Sequence, residues 1–162
     1  MSPEATIALK RSETPAAAIT SSISWRSAPD AMAIGTARAA LSEAVRYAAE
    51  RKQFGKPIGH FQATQMKLAD MASDLEAAAL LVRHAAWCKD SGKPHHREAA
   101  MAKLFATEAA ARICDQAARI FASYGYAMEF AVQRYLRDIR FTLIGGGTSE
   151  ILKLVVAREL TQ

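Results

Sequence analysis

The sequence predicts an all-α fold, an up-and-down bundle of four to five helices. Alanine is very abundant, aromatic residues make up 7% of the 162 residues, and runs of β-branched residues are almost absent. Such a composition favours closely packed helices over strands. Apolar residues recur at spacings of three and four in several segments, and Gly or Pro interrupts the pattern between them. A hydrophobic content of 51% is ample for one buried core, so a single folded domain is expected.

The first 24 residues differ in composition from the rest of the chain. They are rich in Ala, Ser and Thr, contain Pro3 and Pro15, and show no sustained hydrophobic period. Segments of this kind do not bury enough apolar surface to offset the entropy lost on ordering. We therefore expect residues 1–24 to form a disordered tail and residues 25–162 to form the helical domain.

Composition also limits the partners and the compartment. No stretch approaches the roughly 18 to 20 uninterrupted apolar residues that a membrane-spanning helix needs. The net charge of +5 is not gathered into one basic run with interleaved aromatic residues, so no nucleic-acid partner is expected. Cys88 and Cys114 fall within helical patterns, where a single cysteine acts as a small apolar side chain. Two such cysteines suit a reducing compartment, and we expect a cytoplasmic protein.

Five segments carry the helical pattern. Their expected bounds are Asp30–Lys52, Phe61–Asp90, Arg97–Ser123, Glu129–Phe141 and Ser149–Leu160. The spacing of apolar residues places Val45 of the first segment on the face that packs toward the core, together with Ile151, Leu154 and Val155 of the last. Thr148 is expected to be the N-cap of the last helix, because its hydroxyl can accept a hydrogen bond from an early backbone N–H.

A metal site between the helices is not expected. Bundles that hold two metal ions place a Glu and a His three residues apart on one helix face. No His follows at that spacing any of four glutamates within the helical segments, Glu43, Glu76, Glu98 and Glu108. His60 and His84 are isolated in the sequence, and isolated histidines are more often structural than catalytic.

The first group of candidate functional residues surrounds the connection between the first two helices. The stretch Glu50-Arg51-Lys52-Gln53-Phe54-Gly55-Lys56, followed by Phe61-Gln62, joins a guanidinium, an aromatic face and a carboxamide around a tight turn. Arg can hold a phosphate through two hydrogen bonds and Phe can stack on a ring, as a dinucleotide cofactor requires. Arg51 would equally complement the C-terminal end of a helix. Spacing alone leaves both interpretations open.

The second group lies at the start of the last helix. The stretch Ile144-Gly145-Gly146-Gly147-Thr148-Ser149-Glu150 combines glycines, which permit close approach to the backbone, with the free N–H groups of a helix N-terminus, which favour anions. Three glycines would equally make a simple turn. Here too the residues by themselves do not choose between a ligand site and a connection.

Together, and in this order, these residues resemble the C-terminal domain of the acyl-CoA dehydrogenase family. The resemblance covers about Arg26 to Leu160. Its linked stretches are Ala48-Ala49-Glu50-Arg51-Lys52-Gln53-Phe54-Gly55-Lys56-Pro57-Ile58, Phe61-Gln62-Ala63-Thr64-Gln65, Lys67-Leu68-Ala69-Asp70-Met71, Ala100-Met101-Ala102-Lys103, Gly125-Tyr126 with Glu129, Arg137-Asp138, and Gly147-Thr148-Ser149-Glu150-Ile151. Matching motifs in register along most of a chain are hard to obtain by chance.

The resemblance implies an activity and an assembly. The activity is FAD-linked α,β-dehydrogenation of an acyl-CoA thioester, in which a carboxylate removes the α proton as the flavin takes the β hydride. The family fold adds an N-terminal helical domain and a middle β domain to this bundle, assembled as a dimer or a dimer of dimers. Because the tail before Ser24 is too short to supply those domains, we expect a homodimer or a heteromer with a chain that supplies them.

The resemblance also implies roles for individual residues. The residues matched to FAD contacts are Arg51, Phe54 and Gln62, which reach the cofactor of a neighbouring subunit, and Thr148 and Glu150, which lie beside its nucleotide portion. The residues matched to the acyl-CoA site are Arg26, near the substrate, and Gly147, against the thioester.

The catalytic carboxylate of the family is missing at both of its usual positions. Most relatives place a Glu immediately before the Gly-Thr pair, and that position here is Gly146, which has no side chain to take a proton. Some relatives place it just before the arginine matched by Arg26, where this chain has Trp25. Glu150 lies about one helical turn further on and would point elsewhere. No catalytic residue is therefore assigned.

Other family contacts to FAD differ as well. A Gln and a Gly-Gly pair of the family are replaced here by Arg119 and by Ala122-Ser123, and a family proline is replaced by Ala131. Three hypotheses follow. The chain is a dehydrogenase component completed by other domains, a catalytically inactive flavin-binding or dimerisation module, or a structural bundle that keeps only its assembly surfaces.

Overall fold

The computed structural model describes residues 28–161, which form five α-helices and one small hairpin. The helices are α1 (Ala28–Glu50), α2 (Gln62–Asp90), α3 (His96–Phe121), α4 (Ala131–Thr142) and α5 (Ser149–Thr161). Strands β1 (Lys52–Gln53) and β2 (Lys56–Pro57) pair antiparallel between α1 and α2. One 3₁₀ turn, Ile58–His60, comes directly after β2, and another, Ala122–Gly125, comes directly after α3. The all-α bundle expected from the sequence is confirmed. The expected tail, Trp25 and Arg26 lie outside the described residues.

Helix α3 is the centre of the bundle, since it packs against each of the other four helices. The residues that make this possible are small and almost fully buried alanines, Ala102, Ala106, Ala109, Ala110 and Ala117. Small side chains let neighbouring helix axes approach closely. Two larger residues of the C-terminal half of α3, Ile113 and Phe121, are each 1% exposed.

Helix α1 buries a line of alanines rather than the face expected from its larger residues. Ala33, Ala37, Ala40, Ala44 and Ala48 are each at most 1% exposed. Val45, expected to face inward, is 49% exposed, so that expectation is wrong. The line of closest approach between two helices has room only for small side chains, and Val45 lies beside that line.

Helices α4 and α5 cover α3 to different extents. Val132 and Ile139 of α4 are each 1% exposed, and the opposite face of that helix carries exposed arginines. In α5 the expected inward positions Ile151 and Leu154 are each 53% exposed, so the expectation is wrong for these two, whereas Val155, the third expected position, is half-buried. Helix α5 contacts α3 through a different face. The apolar side chains of α5 occupy a wider surface than the contact with α3 can bury.

The connection after α3 requires a glycine. Ala122 has a positive φ of 54°, which ends the α-helix two residues before the expected Ser123 and opens the 3₁₀ turn that closes at Gly125. A Cβ added to Gly125 would lie 2.1 Å from the carbonyl oxygen of Ala118. No side chain fits there, because the obstructing atom belongs to the backbone of α3.

Gly125→Ala is therefore expected to lower the free energy of unfolding by about 3 kcal/mol, the upper part of the range for overpacked sites. The matched control is Gly35→Ala in α1, where no heavy atom lies within 4 Å of the added Cβ. That change is expected to raise stability by about 0.5–1 kcal/mol through helix propensity. Equilibrium urea unfolding of both variants measures the contrast, and equal effects would contradict the steric explanation.

Within residues 28–161, no helix is both long and apolar enough to cross a membrane. The same part of the chain contains no group of three or more His, Cys, Asp or Glu side chains that could hold a metal ion.

Candidate functional site

The connection between α1 and α2 presents an exposed aromatic residue in a strained conformation. The hairpin pairs Gln53 with Lys56, which leaves Phe54 and Gly55 as a two-residue turn. Both turn residues have positive φ, 50° and 80°, as type I′ hairpin turns require. Phe54 is 92% exposed, and its ring meets the edge of the Phe61 ring at 6.2 Å between centroids. A bulky residue is uncommon at positive φ, so this turn is a candidate contact surface.

Arg51 lies at the base of that hairpin, one residue after α1 ends. Its backbone N–H donates to the Tyr47 carbonyl, and its own carbonyl accepts from the Ile58 N–H, both at 2.8 Å. The guanidinium carbon lies 5.8 Å from the centroid of the Tyr124 ring, within the range of a cation–π contact. Arg51 is exposed, so its N–H groups face solvent and can receive a ligand.

A shallow groove of about 220 Å³ adjoins Arg51 where the hairpin meets the end of α3. Its floor is the pair Tyr47 and Phe121, whose rings stack at 4.0 Å between centroids. Gln62 is the first residue of α2 and is also exposed. The three predicted cofactor residues Arg51, Phe54 and Gln62 thus share one exposed connection beside the C-terminal end of α3.

The glycine loop, defined as Gly145–Gly147, connects α4 to α5. Gly146 and Gly147 have φ values of 74° and 106°, which side chains rarely tolerate. Thr148 caps α5 as expected, with its Oγ1 accepting from the Ile151 N–H at 3.4 Å. None of the N–H groups of Gly146, Gly147, Thr148 and Ser149 donates to a carbonyl within residues 28–161. The loop therefore offers four consecutive donors at a helix N-terminus.

Glu150 follows in the first turn of α5 and is exposed. Its own backbone N–H and the Thr148 hydroxyl lower the pKa of its carboxyl. The carboxylate thus forms hydrogen bonds with groups at the N-terminus of α5, as acidic residues at helix N-termini often do.

Two side chains of α3 form hydrogen bonds with the glycine loop and with the first residue of α5. The Lys103 ammonium donates to the carbonyl of Gly147, and Glu108 Oε1 accepts from the Ser149 hydroxyl at 2.6 Å. Lys103 is only 3% exposed. Burial lowers its pKa, against the opposing effects of Asp30 and Glu108. A lysine on an otherwise alanine-lined face was the available sequence signal for this contact, but sequence reasoning assigned it no role.

Asp30, in the first turn of α1, lies beside the same loop. It is 4% exposed, and its Oδ1 has no hydrogen-bond partner in the part of the chain that the structure describes. Burial raises its pKa to about 7, with the charge of Lys103 acting in the other direction. The preceding residue, Pro29, places its Cγ only 3.2 Å from a Cβ built on Gly146. Sequence reasoning used Asp30 only as a helix boundary.

The hairpin and the glycine loop lie toward opposite ends of α3. The loop is held at Lys103, whereas the hairpin groove is lined by Phe121 and the turn that follows it. Eighteen residues of helix separate these positions, about 27 Å at 1.5 Å per residue. The hairpin residues and the glycine loop of one chain therefore do not lie close enough to bind the same phosphates of a dinucleotide.

Comparison with known proteins assigns the family. A family model described as the C-terminal domain of acyl-CoA dehydrogenases matches residues 24–161. The chain belongs to the acyl-CoA dehydrogenase family. It is 75% identical over 131 residues to the benzylmalonyl-CoA dehydrogenase of Aromatoleum aromaticum, a match that covers 81% of this chain and 35% of that relative.

Solved structures of the acyl-CoA dehydrogenase family agree with the bundle. The butyryl-CoA dehydrogenase of Megasphaera elsdenii has a TM-score of 0.83 at 44% identity over 85% of this chain and 36% of its own. PigA, in a structure with FAD and proline, has a TM-score of 0.82 at 31% identity over 84% of this chain and 36% of its own. This chain spans about a third of the length of these relatives. The predicted family and bundle are confirmed.

Proposed function

We propose that this chain acts as the C-terminal domain of an FAD-dependent dehydrogenase of acyl-CoA thioesters, working with the N-terminal helical and middle β domains of the family. Family membership over residues 24–161 carries the proposal. FAD is the family's cofactor, and when bound it accepts the hydride that leaves the β carbon of the substrate. The buried free cysteines Cys88 and Cys114 fit a reducing cytoplasm.

The hairpin residues fit one part of a dinucleotide. Arg51 is exposed at the rim of a groove, and Phe54 presents a nearly bare ring at a backbone position that costs free energy to maintain. A phosphate beside the guanidinium and a ring against Phe54 would use both features. Gln62 adds a carboxamide on the same connection. We assign these residues to the FAD of a neighbouring subunit.

The glycine loop fits another part of the site. Its four N–H groups, which donate to no carbonyl of residues 28–161, favour a phosphate or the oxygen of a thioester, and Gly147 lets a ligand approach the backbone. We assign Thr148 and Glu150 to the nucleotide side of FAD and Gly147, with Arg26, to acyl-CoA. About 27 Å of helix separates the glycine loop from the hairpin. One FAD would therefore be bound by the glycine loop of one copy of the domain and by the hairpin of another. A homodimer is the simplest assembly of this kind.

The absence of a side chain at Gly146 favours a particular class of substrate. The relative from Aromatoleum is named for benzylmalonyl-CoA, a thioester with a carboxylate on its α carbon. When the bond to that carboxylate breaks, CO₂ leaves and the α carbon keeps the electron pair that proton removal would otherwise provide. Loss of a hydride from the β carbon then completes the α,β double bond. No base at position 146 is needed, and we propose an α-carboxylated acyl-CoA as substrate.

The same observation favours a second candidate, an inactive flavin-binding module. The two candidates differ in one experiment on the chain assembled with the other family domains. A yellow complex that converts an α-carboxylated acyl-CoA to its unsaturated product and CO₂ supports the enzyme. A yellow complex without turnover supports the inactive module, and a colourless complex at saturating FAD contradicts both.

Arg51→Ala is expected to raise the dissociation constant of FAD in the assembled enzyme at least tenfold. A hydrogen bond to a charged group contributes about 1.5–3 kcal/mol, and about 1.4 kcal/mol corresponds to a factor of ten. Titration followed by flavin absorbance measures the change, with circular dichroism to check that helicity is retained. The matched control is Arg38→Ala, an exposed arginine about 20 Å away along α1. Equal affinities of the two variants would remove Arg51 from the cofactor site.

A further inference from the structure

The glycine loop is held by an arrangement of buried charges that cofactor and substrate binding do not by themselves explain. Lys103, 3% exposed, donates to the Gly147 carbonyl from the N-terminal third of α3. Asp30, 4% exposed, lies at the start of α1 and acts on Lys103 through its charge. Burying ionisable groups is costly unless they pair or make hydrogen bonds. Helix packing alone would be better served by apolar residues at both positions.

The position of Asp30 connects it to the glycine loop from a second side. Pro29, its neighbour in the first turn of α1, approaches Gly146 closely enough that an added Cβ would lie 3.2 Å from the Pro29 Cγ. Asp30 Oδ1 is buried and makes no hydrogen bond to any of residues 28–161. One carboxylate oxygen is thus withheld from water without a partner, a costly state that needs a reason at this place in the fold.

We propose that Asp30 is a positioning residue, which acts through the Lys103 ammonium on the Gly147 carbonyl and thereby fixes the conformation of the glycine loop. Lys103 holds the Gly147 carbonyl toward α3, so the Thr148 N–H, which belongs to the same planar trans peptide, points away from it. Glu108 supports the same arrangement through its hydrogen bond to Ser149 at 2.6 Å. The inference deepens the proposed function, because that function places the thioester against Gly147.

Charge, rather than shape, carries the effect. Within residues 28–161, Lys103 is the charged group that acts on Asp30, while Asp30 of α1 and Glu108 of α3 are those that act on Lys103. Ionised Asp30 attracts the Lys103 ammonium and so holds it beside the Gly147 carbonyl, an attraction that is lost when Asp30 takes up a proton. The loop should therefore be better ordered above the pH at which Asp30 loses its proton, near 7, than below it.

Amide hydrogen exchange of the chain, measured without flavin or substrate, tests this inference independently of the proposed function. At pH 8, Asp30→Asn is expected to speed exchange in a peptide covering residues 143–152 about tenfold, which is about 1.4 kcal/mol. Exchange in α4, residues 131–142, is expected not to become faster. In the unsubstituted chain, protection of residues 143–152, corrected for the intrinsic rate, should rise between pH 6 and pH 8, and in the variant it should not.

A second variant separates positioning from a general effect on folding. Lys103→Met should loosen the same peptide, and adding Asp30→Asn to it should cause no further change, because Asp30 acts through Lys103. If Lys103→Met does not fold, the pH series on Asp30→Asn decides by itself. Exchange that rises equally in all peptides, or a loop that exchanges alike with and without Asp30, overturns the proposal.

Discussion

Gly146→Glu is expected to raise the rate at which the complete enzyme dehydrogenates a saturated acyl-CoA without an α-carboxylate by about 100-fold or more. A positioned general base contributes roughly 10²–10⁴ in rate, and by the resemblance position 146 matches the place where most relatives carry their catalytic Glu. The change has a structural cost, because φ at Gly146 is 74° and the new Cβ would lie 3.2 Å from the Pro29 Cγ. Strain of this kind costs about 1–3 kcal/mol, which a folded domain can absorb.

The control for this experiment is Gly146→Gln, which introduces the same bulk and the same strain without a base. Initial rates with the saturated thioester should separate the two variants. With an α-carboxylated thioester neither variant should gain, because cleavage of the carbon–carbon bond replaces proton removal. Equal rates for the Glu and Gln variants on the saturated substrate would show that position 146 does not face the α carbon.

The fold could be predicted because its main signals are local. Spacings of three and four define α2 and α3, and the glycine and proline residues between helices mark their ends. Helix α2 ends at Asp90, where the sequence placed its end. The errors at Val45 and at Ile151 and Leu154 have another origin. Hydrophobicity alone does not show which line of a helix lies closest to its neighbour, and there alanine is preferred over larger residues.

The candidate site could be predicted only in part. Arg51, Phe54 and the glycine loop carry recognisable chemistry in short stretches of sequence, and the structure places them in connections between helices, with Arg51, Phe54 and Gly146 exposed. The charged residues beside the glycine loop, Asp30, Lys103 and Glu108, could not be predicted. They come from two helices and lie close together only after folding. Distances between helices, not the sequence pattern of either helix, decide which charges lie together. Likewise, the separation of hairpin and loop along α3 is visible only in three dimensions.

Asp30 should make stability fall as pH rises, the reverse of the usual behaviour of a carboxylate. Its pKa is about 7 in the folded chain and 3.8 is its ordinary value. Between these values the folded state keeps a proton that the unfolded state has released. The free energy of unfolding therefore decreases from about pH 4 to pH 7, by up to about 4 kcal/mol at 1.36 kcal/mol per pH unit. Above pH 7 this contribution no longer changes.

Asp30→Asn is accordingly expected to be more stable than the unsubstituted chain at pH 8, by up to about 4 kcal/mol, and about equally stable at pH 4. Urea unfolding at a series of pH values measures both differences, and Asp138→Asn, which removes an exposed carboxylate of α4, should change stability by no more than about 0.5 kcal/mol. The same variant that gains stability at pH 8 should lose order in the glycine loop. If Asp30 served folding alone, replacing it would change the free energy of unfolding and the order of the glycine loop in the same direction. Opposite changes therefore identify Asp30 as a residue that serves the site at the expense of stability.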